Sequence, residues 1–244
     1  MRNIGIICRR ELAAYFGSPL AYVFIVIFLG LSGSLTFYLG RFLARGQANL
    51  DPFFLFHPWI YLFLLPAIGM RLWAEERKTG TLELLMTLPV TTGQAVVGKF
   101  LAAWLFAAIA LALTFPIWIT VNYLGDPDNG VILTAYIGSW LMAGAFLAIS
   151  AALSAVTSNQ VIAFVLGAVV CFLFLMSGLD LVQVFFRDWA PPFFVNVIAN
   201  LSFLTNFHSI AEGVIDLKNV VFFASLIGVG LFINTALVEL KKGA

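Results

Sequence analysis

Charge is scarce in this sequence, and over long stretches it is absent. Charged residues make up 10% of the chain, against a hydrophobic share of 62% and a mean hydropathy of +1.02. None falls between Leu12 and Gly40, Phe100 and Gly125, Asn129 and Leu179, or Asn219 and Val238. That composition excludes an ordinary soluble globular domain. The net charge of +1 says nothing about partners, and no nucleic-acid partner is expected. Cysteine is nearly missing: Cys8 and Cys171 form neither a disulfide framework nor a metal-type spacing, and both read as small apolar fillers. Histidine is limited to His57 and His208. Both are expected at the outer face, as hydrogen-bonded interfacial residues or as ligands of a haem or metal. No cysteine or carboxylate stands at ligand spacing beside either. G-x-S-x-G and H-E-x-x-H are also absent, which leaves a membrane hydrolase without its residues. The first apolar run is too long for a cleavable signal peptide and reads as a retained span.

What is present is apolar length. A span needs about 20 residues to cross ~30 Å of hydrocarbon. Six spans are expected, at about 19–40, 54–74, 97–122, 131–156, 160–181 and 219–239, in an all-α membrane protein whose single domain covers 1–244. Pro58, Pro66 and Pro116 lie inside spans, where neighbours can satisfy the freed carbonyls. Gly30, Gly33, Gly138, Gly144, Ala148, Ser150, Ser154, Gly228 and Gly230 read as close-packing positions. Residues 1–16 are amphipathic. Ile4, Ile7, Cys8, Leu12 and Tyr15 recur at helical spacing, Glu11 breaks the apolar face, and Arg2, Arg9 and Arg10 are basic. Such a helix can lie in the membrane interface or begin a cytosolic one.

Orientation follows from lysine and arginine. One side collects Arg2, Arg9, Arg10, Arg71, Arg77, Lys78, Lys99, Lys241 and Lys242; the other has Arg41, Arg45, Arg187 and Lys218. The imbalance puts both termini in the cytoplasm. The outer segment 182–218 is too polar for a clean span and too apolar for a free loop. Pro191–Pro192 interrupts it, and Phe193, Phe194, Val197, Ile198, Leu201 and Leu204 then recur in a helix-like way. One or two re-entrant helices are expected there; a seventh span would put Lys241 and Lys242 on the wrong side. No ionisable residue lies mid-span, so an ion-coupled pathway has no visible carrier.

The densest charge lies in residues 75–99, EERKTGTLELLMTLPVTTGQAVVGK. Gly93, Gly98 and Lys99 match the start of a phosphate loop, but position 100 is Phe, no strand precedes it, and a membrane helix follows. The chain is therefore expected to hold no ATP site. Thr79–Gly80 ends one helix. Gly80 can cap the next, with Glu83 at its third position and Leu88–Pro89 as its stop. Leu82, Leu85 and Met86 share one face of this two-turn element, which is too short to stand alone in water. That face needs a pocket, either lipid or a groove on a cytosolic partner.

These residues resemble a motif of type-2 ABC transporter permeases, E-E-[RK]-x-x-G-T-[LI]-E-x-L-L-x-[ST]-P-[VI] followed by G-K at the next span. Glu75, Glu76, Gly80, Thr81, Leu82, Glu83, Leu85, Pro89 and Lys99 match it. GVIDL followed by a basic residue, at 213–218, is most similar to the gliding-motility-associated F-component permeases and to the permease of nitrous-oxide-reductase maturation. The haem-exporter permeases fit less well.

The resemblance implies an N-terminal interface helix, six spans, a cytoplasmic coupling helix between spans 2 and 3, and re-entrant outer helices. Glu75, Glu76, Arg77, Gly80, Thr81, Leu82, Glu83, Leu85 and Met86 would dock an ABC ATPase subunit, two copies serving two permease chains. ATP and Mg would bind that partner, and this chain would carry no cofactor, metal or catalytic residue. A second permease copy, an accessory subunit of the gliding-motility G-component type and membrane lipid are the other expected partners. The expected location is a bacterial inner membrane, and the expected activity is export or extraction from the membrane. A secondary transporter or channel, or a non-transporting accessory subunit, are the alternative readings.

Overall fold

The computed structural model describes residues 2–81, 89–179, 182–184, 191, 193, 197 and 199–241. The described residues are helical, without strands. In chain order the helices are α1 (Arg2–Phe16), α2 (Pro19–Ser34), α3 (Asp51–Phe54), α4 (His57–Gly69), α5 (Arg71–Thr79), α6 (Thr92–Ala112), α7 (Phe115–Leu124), α8 (Asn129–Ser154), α9 (Gln160–Met176), α10 (Phe203–Ala211) and α11 (Leu217–Leu240). A π-helical turn, Leu35–Leu39, prolongs α2, and a short 3-10 turn, Leu43–Arg45, follows it.

Among the described residues, five helical runs are long and apolar enough to cross a membrane: Pro19–Arg45, Asp51–Thr79, Thr92–Leu124, Asn129–Ser154 and Leu217–Leu240. The fifth expected span is α9, a shorter apolar helix of 17 residues. It starts close in sequence to the end of α8 and packs along it, with Cys171 beside Phe146 O, and its end meets the start of α10, where a Cβ on Gly178 would lie 1.9 Å from Ser202 Oγ.

Helix ends explain why these runs start where they do. Helix N-termini expose N–H groups that lipid cannot satisfy. Side chains take them. Ser18 accepts from the N–H of Leu20, Asp128 from Gly130 and Val131, Asn159 from Val161 and Ile162, and Asp216 from Lys218. Thr91 and Gln94 form a reciprocal capping box at α6.

The centre of the bundle is α8, which packs against α4, α6, α9, α10 and α11. Lipid is as apolar as leucine, so close packing and polar bonds, rather than hydrophobic burial, must hold helices together. Small residues on α8 supply the packing. A Cβ on Gly138 would meet Ile210 at 2.7 Å, one on Gly144 would meet Ile227 at 2.8 Å, and one on Gly230 would meet Ala148 at 2.8 Å. Gly30, Gly33 and Gly228 differ from expectation, since a Cβ there would meet nothing within 4 Å. Their small size is not used for packing within this chain. Trp104 stacks on Trp140 at 4.1 Å and its indole N–H donates to the Trp140 carbonyl, locking α6 to α8.

Two helix breaks are held by hydroxyls. Between α6 and α7, Thr114 donates to Leu111 O and meets the Tyr136 hydroxyl at 2.9 Å, just before Pro116 removes an N–H. Between α4 and α5, Ser154 of α8 donates to Met70 O at 2.7 Å and accepts from the N–H groups of Trp73 and Ala74, at 3.2 and 3.0 Å. One serine thus satisfies three backbone groups at the break.

His57 is not an interfacial residue. It is fully buried among Phe28, Phe53, Phe54 and Tyr61, and its Nδ1 lies 2.8 Å from the Ser139 hydroxyl, which also bonds Tyr61. Aromatic residues spaced along α2, α3 and α4 converge there, which one-dimensional topology could not reveal. His208 is exposed and pairs with Glu212 at 3.2 Å. Among the described residues no cluster suits a metal.

Replacing Ser154 by Ala strands three backbone groups and is expected to lower stability in detergent by about 1–3 kcal/mol. Ser32→Ala, whose hydroxyl bonds only back to Phe28 O of its own helix, should leave the melting temperature nearly unchanged.

Candidate functional site

The E-E and G-K halves of the charged stretch are far apart in sequence and meet in space. α5 carries the acidic pair one turn before its end. Gly80, with φ +73°, closes that helix in the left-handed region, and its N–H returns to Arg77 O. Glycine takes this conformation without the Cβ penalty. The expected break at Thr79–Gly80 is therefore present, with Gly80 as the C-terminal cap of α5. Thr81 follows, exposed, its hydroxyl 3.0 Å from that of Thr79. Leu82, Glu83, Leu85 and Met86, and with them the body of the expected short helix, lie outside the described residues.

The two glutamates behave differently. Glu75 receives two bonds from Arg71 one turn earlier, at 2.7 and 3.0 Å, and is partly exposed. Glu76 turns inward and pairs with the Lys99 ammonium at 2.6 Å. Lys99 is 3% exposed, although it stands near the start of a long apolar helix. Its second partner is Glu11 of α1, at 3.3 Å. Beneath it lies the Trp73 ring, 5.5 Å from the ammonium to the centroid, a further cation–π contact. A buried charge must be compensated or it costs several kcal/mol. Here two carboxylates and an aromatic face compensate one ammonium.

Glu11 thus acquires a reason. It breaks the apolar pattern of residues 1–16 because it faces Lys99 rather than lipid. Burial alone would raise its carboxyl, but Lys99 and Arg10 outweigh burial and hold it below the usual carboxylate range. The apolar members of α1 pack against α6, where Gly98 admits Ile7: a Cβ there would lie 2.8 Å from the isoleucine's Cγ2. The G-K dipeptide does two jobs in succession. Gly98 lets α1 approach, and Lys99 ties α1 to α5. Asn3 adds a bond to Gln94 at 3.3 Å, and Tyr15 and Phe16 meet Phe106.

Of the nine expected site residues, Glu75, Glu76, Arg77, Gly80 and Thr81 fall at this one end of the bundle. Ser154 and the end of α11 join them, Lys241 donating to Val156 O. Sequence reasoning missed Glu11, Lys99 and Ser154 as parts of this junction. Glu11 was detectable as the lone carboxylate on an apolar face. Lys99 was detectable as a lysine inside the hydrophobic onset of a span. Ser154 gave no signal, since its role depends on where Met70 lies.

The arrangement has no catalytic grouping among the described residues. It is a mechanical joint: an amphipathic helix, the end of one span and the start of the next, pinned by one buried ion cluster directly before residues 82–88. No curated protein is significantly similar to this chain. A sequence profile described as ABC-2 family transporter protein matches residues 46–214, more than half of the chain, and the chain therefore belongs to the ABC-2 transporter family.

Proposed function

We propose that this multi-pass membrane protein is the permease subunit of an ABC transporter driven by a separate ATPase, with residues 75–88 as its coupling element. Family membership supports a membrane subunit that is not itself the ATPase and works in a dimeric arrangement. The observation that carries the rest is the Glu76–Lys99–Glu11 cluster. Force applied to residues just beyond Gly80 would reach α5 first. Through Lys99 it would reach the start of α6 and the whole of α1. A movement of the docked ATPase would then displace three elements as one body. Exposed Thr81 and partly exposed Glu75 and Arg77 suit the rim of such a docking surface.

Six passes, with α9 as the fifth and both termini cytoplasmic, complete this reading. The end of the bundle that gathers α1, α5 and Lys99 also gathers most of the lysine and arginine, which supports its assignment to the cytoplasm. α10 would belong to the re-entrant part at the outer end; Phe194 and Ile198, with most of residues 180–198, lie outside the described residues. Export, or extraction from the membrane, of an amphiphile is the activity proposed, in a bacterial inner membrane. Nucleotide and Mg would be held by the ATPase. An accessory subunit of the gliding-motility type is proposed as a further partner on the strength of the 213–218 segment alone.

Glu83→Arg and Leu85→Asp are expected to abolish co-purification with the cognate ATPase and its stimulation by the permease. Unchanged association and rate in both would overturn the coupling role. Lys99→Met leaves Glu11 and Glu76 facing each other and should cost about 3–5 kcal/mol, read as a fall in melting temperature. Neutralising both glutamates to Gln in the same chain should recover most of that loss, because the uncompensated buried charge is then removed.

A further inference from the structure

Beside the ion cluster lies a cleft of about 240 Å³ between α1, α2 and the α4–α5 junction. Its walls change character from one end to the other. One end is charged, formed by Glu11, Glu75, Glu76, Arg71 and Lys99; the other is apolar, formed chiefly by Phe24 and Ile68. Seven residues separate Ile68 from Glu75 across the α4–α5 junction, about 10 Å at a helical rise per residue. That is roughly the distance from the headgroups to the first acyl carbons of a leaflet. α1, amphipathic and with Arg9 and Arg10 exposed, fixes the charged end at headgroup depth. Leu20, on the lip of the cleft, is exposed.

The charges decide which headgroup fits. Both cations lining the cleft are already committed to its own carboxylates, Arg71 to Glu75 and Lys99 to Glu11 and Glu76. Arg10 meets Glu11 from outside the lining, at 2.5 Å, so three carboxylates face three cations. What remains over is an acceptor: the buried Oε2 of Glu76 has no hydrogen-bond partner. The cleft therefore has acceptor capacity in excess of donors. An anionic headgroup without an N–H adds acceptors where a donor is wanted. A trimethylammonium has the charge but no N–H to give. A primary ammonium supplies one positive charge and three donors.

We infer that this cleft binds a phospholipid with a primary-amine headgroup, of the phosphatidylethanolamine class, from the leaflet that α1 contacts. The ammonium lies among Glu11, Glu75 and Glu76, and the glycerol end leaves past Phe24 and Leu20 into the bilayer. Bound there, the lipid wedges α1 against α2 and α5, so leaflet composition bears on the joint. The inference rests on reading α1 as an interfacial helix. It does not need the ATPase, so failure of the coupling proposal would show in ATPase pairing and leave the lipid result untouched.

The test is lipid retention by the full-length protein. It is extracted from bilayers holding equal phosphatidylethanolamine, phosphatidylcholine and phosphatidylglycerol, and retained lipid is read by native mass spectrometry. Enrichment of the ethanolamine lipid by about fivefold or more over the choline lipid is expected, a difference near 1 kcal/mol. Glu75→Gln should remove the enrichment by charge. Leu20→Trp should remove it by blocking the lip while every charge is kept, and a melting curve checks that each variant is folded. Soluble glycerophosphoethanolamine should not displace the lipid. Equal retention of all three lipids, preference for phosphatidylglycerol, enrichment surviving in both folded variants, or displacement by the soluble headgroup would each overturn the proposal.

Discussion

An ammonium placed at the start of an apolar helix has no solvent on which to spend its charge. Lys99 is in that position, and the α1 end of the bundle is organised around its neutralisation. Glu76 comes from the helix that leads out of the second membrane run, and Glu11 from the N-terminal helix. Each approach has its own condition: α1 comes close to Lys99 where Gly98 admits Ile7, and Glu76 reaches it where α5 continues the chain past Met70. Removing the ammonium leaves two carboxylates in one desolvated place. A cluster of this kind contributes geometric definition more than net stability, because desolvation consumes most of the Coulombic gain.

The same logic runs through the rest of the molecule. In lipid the hydrophobic effect does not choose between helix arrangements, so polar groups that cannot be left unpaired do the choosing. Ser154 satisfies three backbone groups at the α4–α5 break, and Ser139 serves His57 and Tyr61 together. Each hydroxyl sits on α8, the helix with most neighbours. α8 is thus both the packing centre, through Gly138 and Gly144, and the donor of the polar contacts that fix α4 and α5 against it. A displacement of α5 at the joint is consequently resisted by α8 and passed to it.

Much of this was legible in the residues. Apolar length gave the membrane class. Apolar length also placed the span starts to within a few residues of the caps at Ser18, Thr91, Asp128, Asn159 and Asp216, which are themselves local in sequence. Thr79–Gly80 marked a helix end for the same reason. The amphipathic face of residues 1–16 was visible from spacing, and Glu11 stood out on it as an unexplained charge. His57 was misplaced, because topology assigns depth along the membrane normal and says nothing about whether a side chain points to lipid or to neighbours. Gly30, Gly33 and Gly228 meet no neighbour within this chain, because a small residue permits close approach but only a neighbour uses it.

The sequence by itself determined an all-helical chain written for lipid, the boundaries of most helices, and a concentrated run of charge between apolar segments, because propensity, capping and hydropathy act over a few residues. Only the tertiary structure decided that Glu11, Glu76 and Lys99 share one buried site, that Ser154 repairs a distant helix break, and that a cleft graded from charged to apolar opens beside them. Those depend on contacts spanning 23 to 88 positions of the chain. No local rule encodes such contacts. They arise when helices pack and every buried polar group has to find a partner.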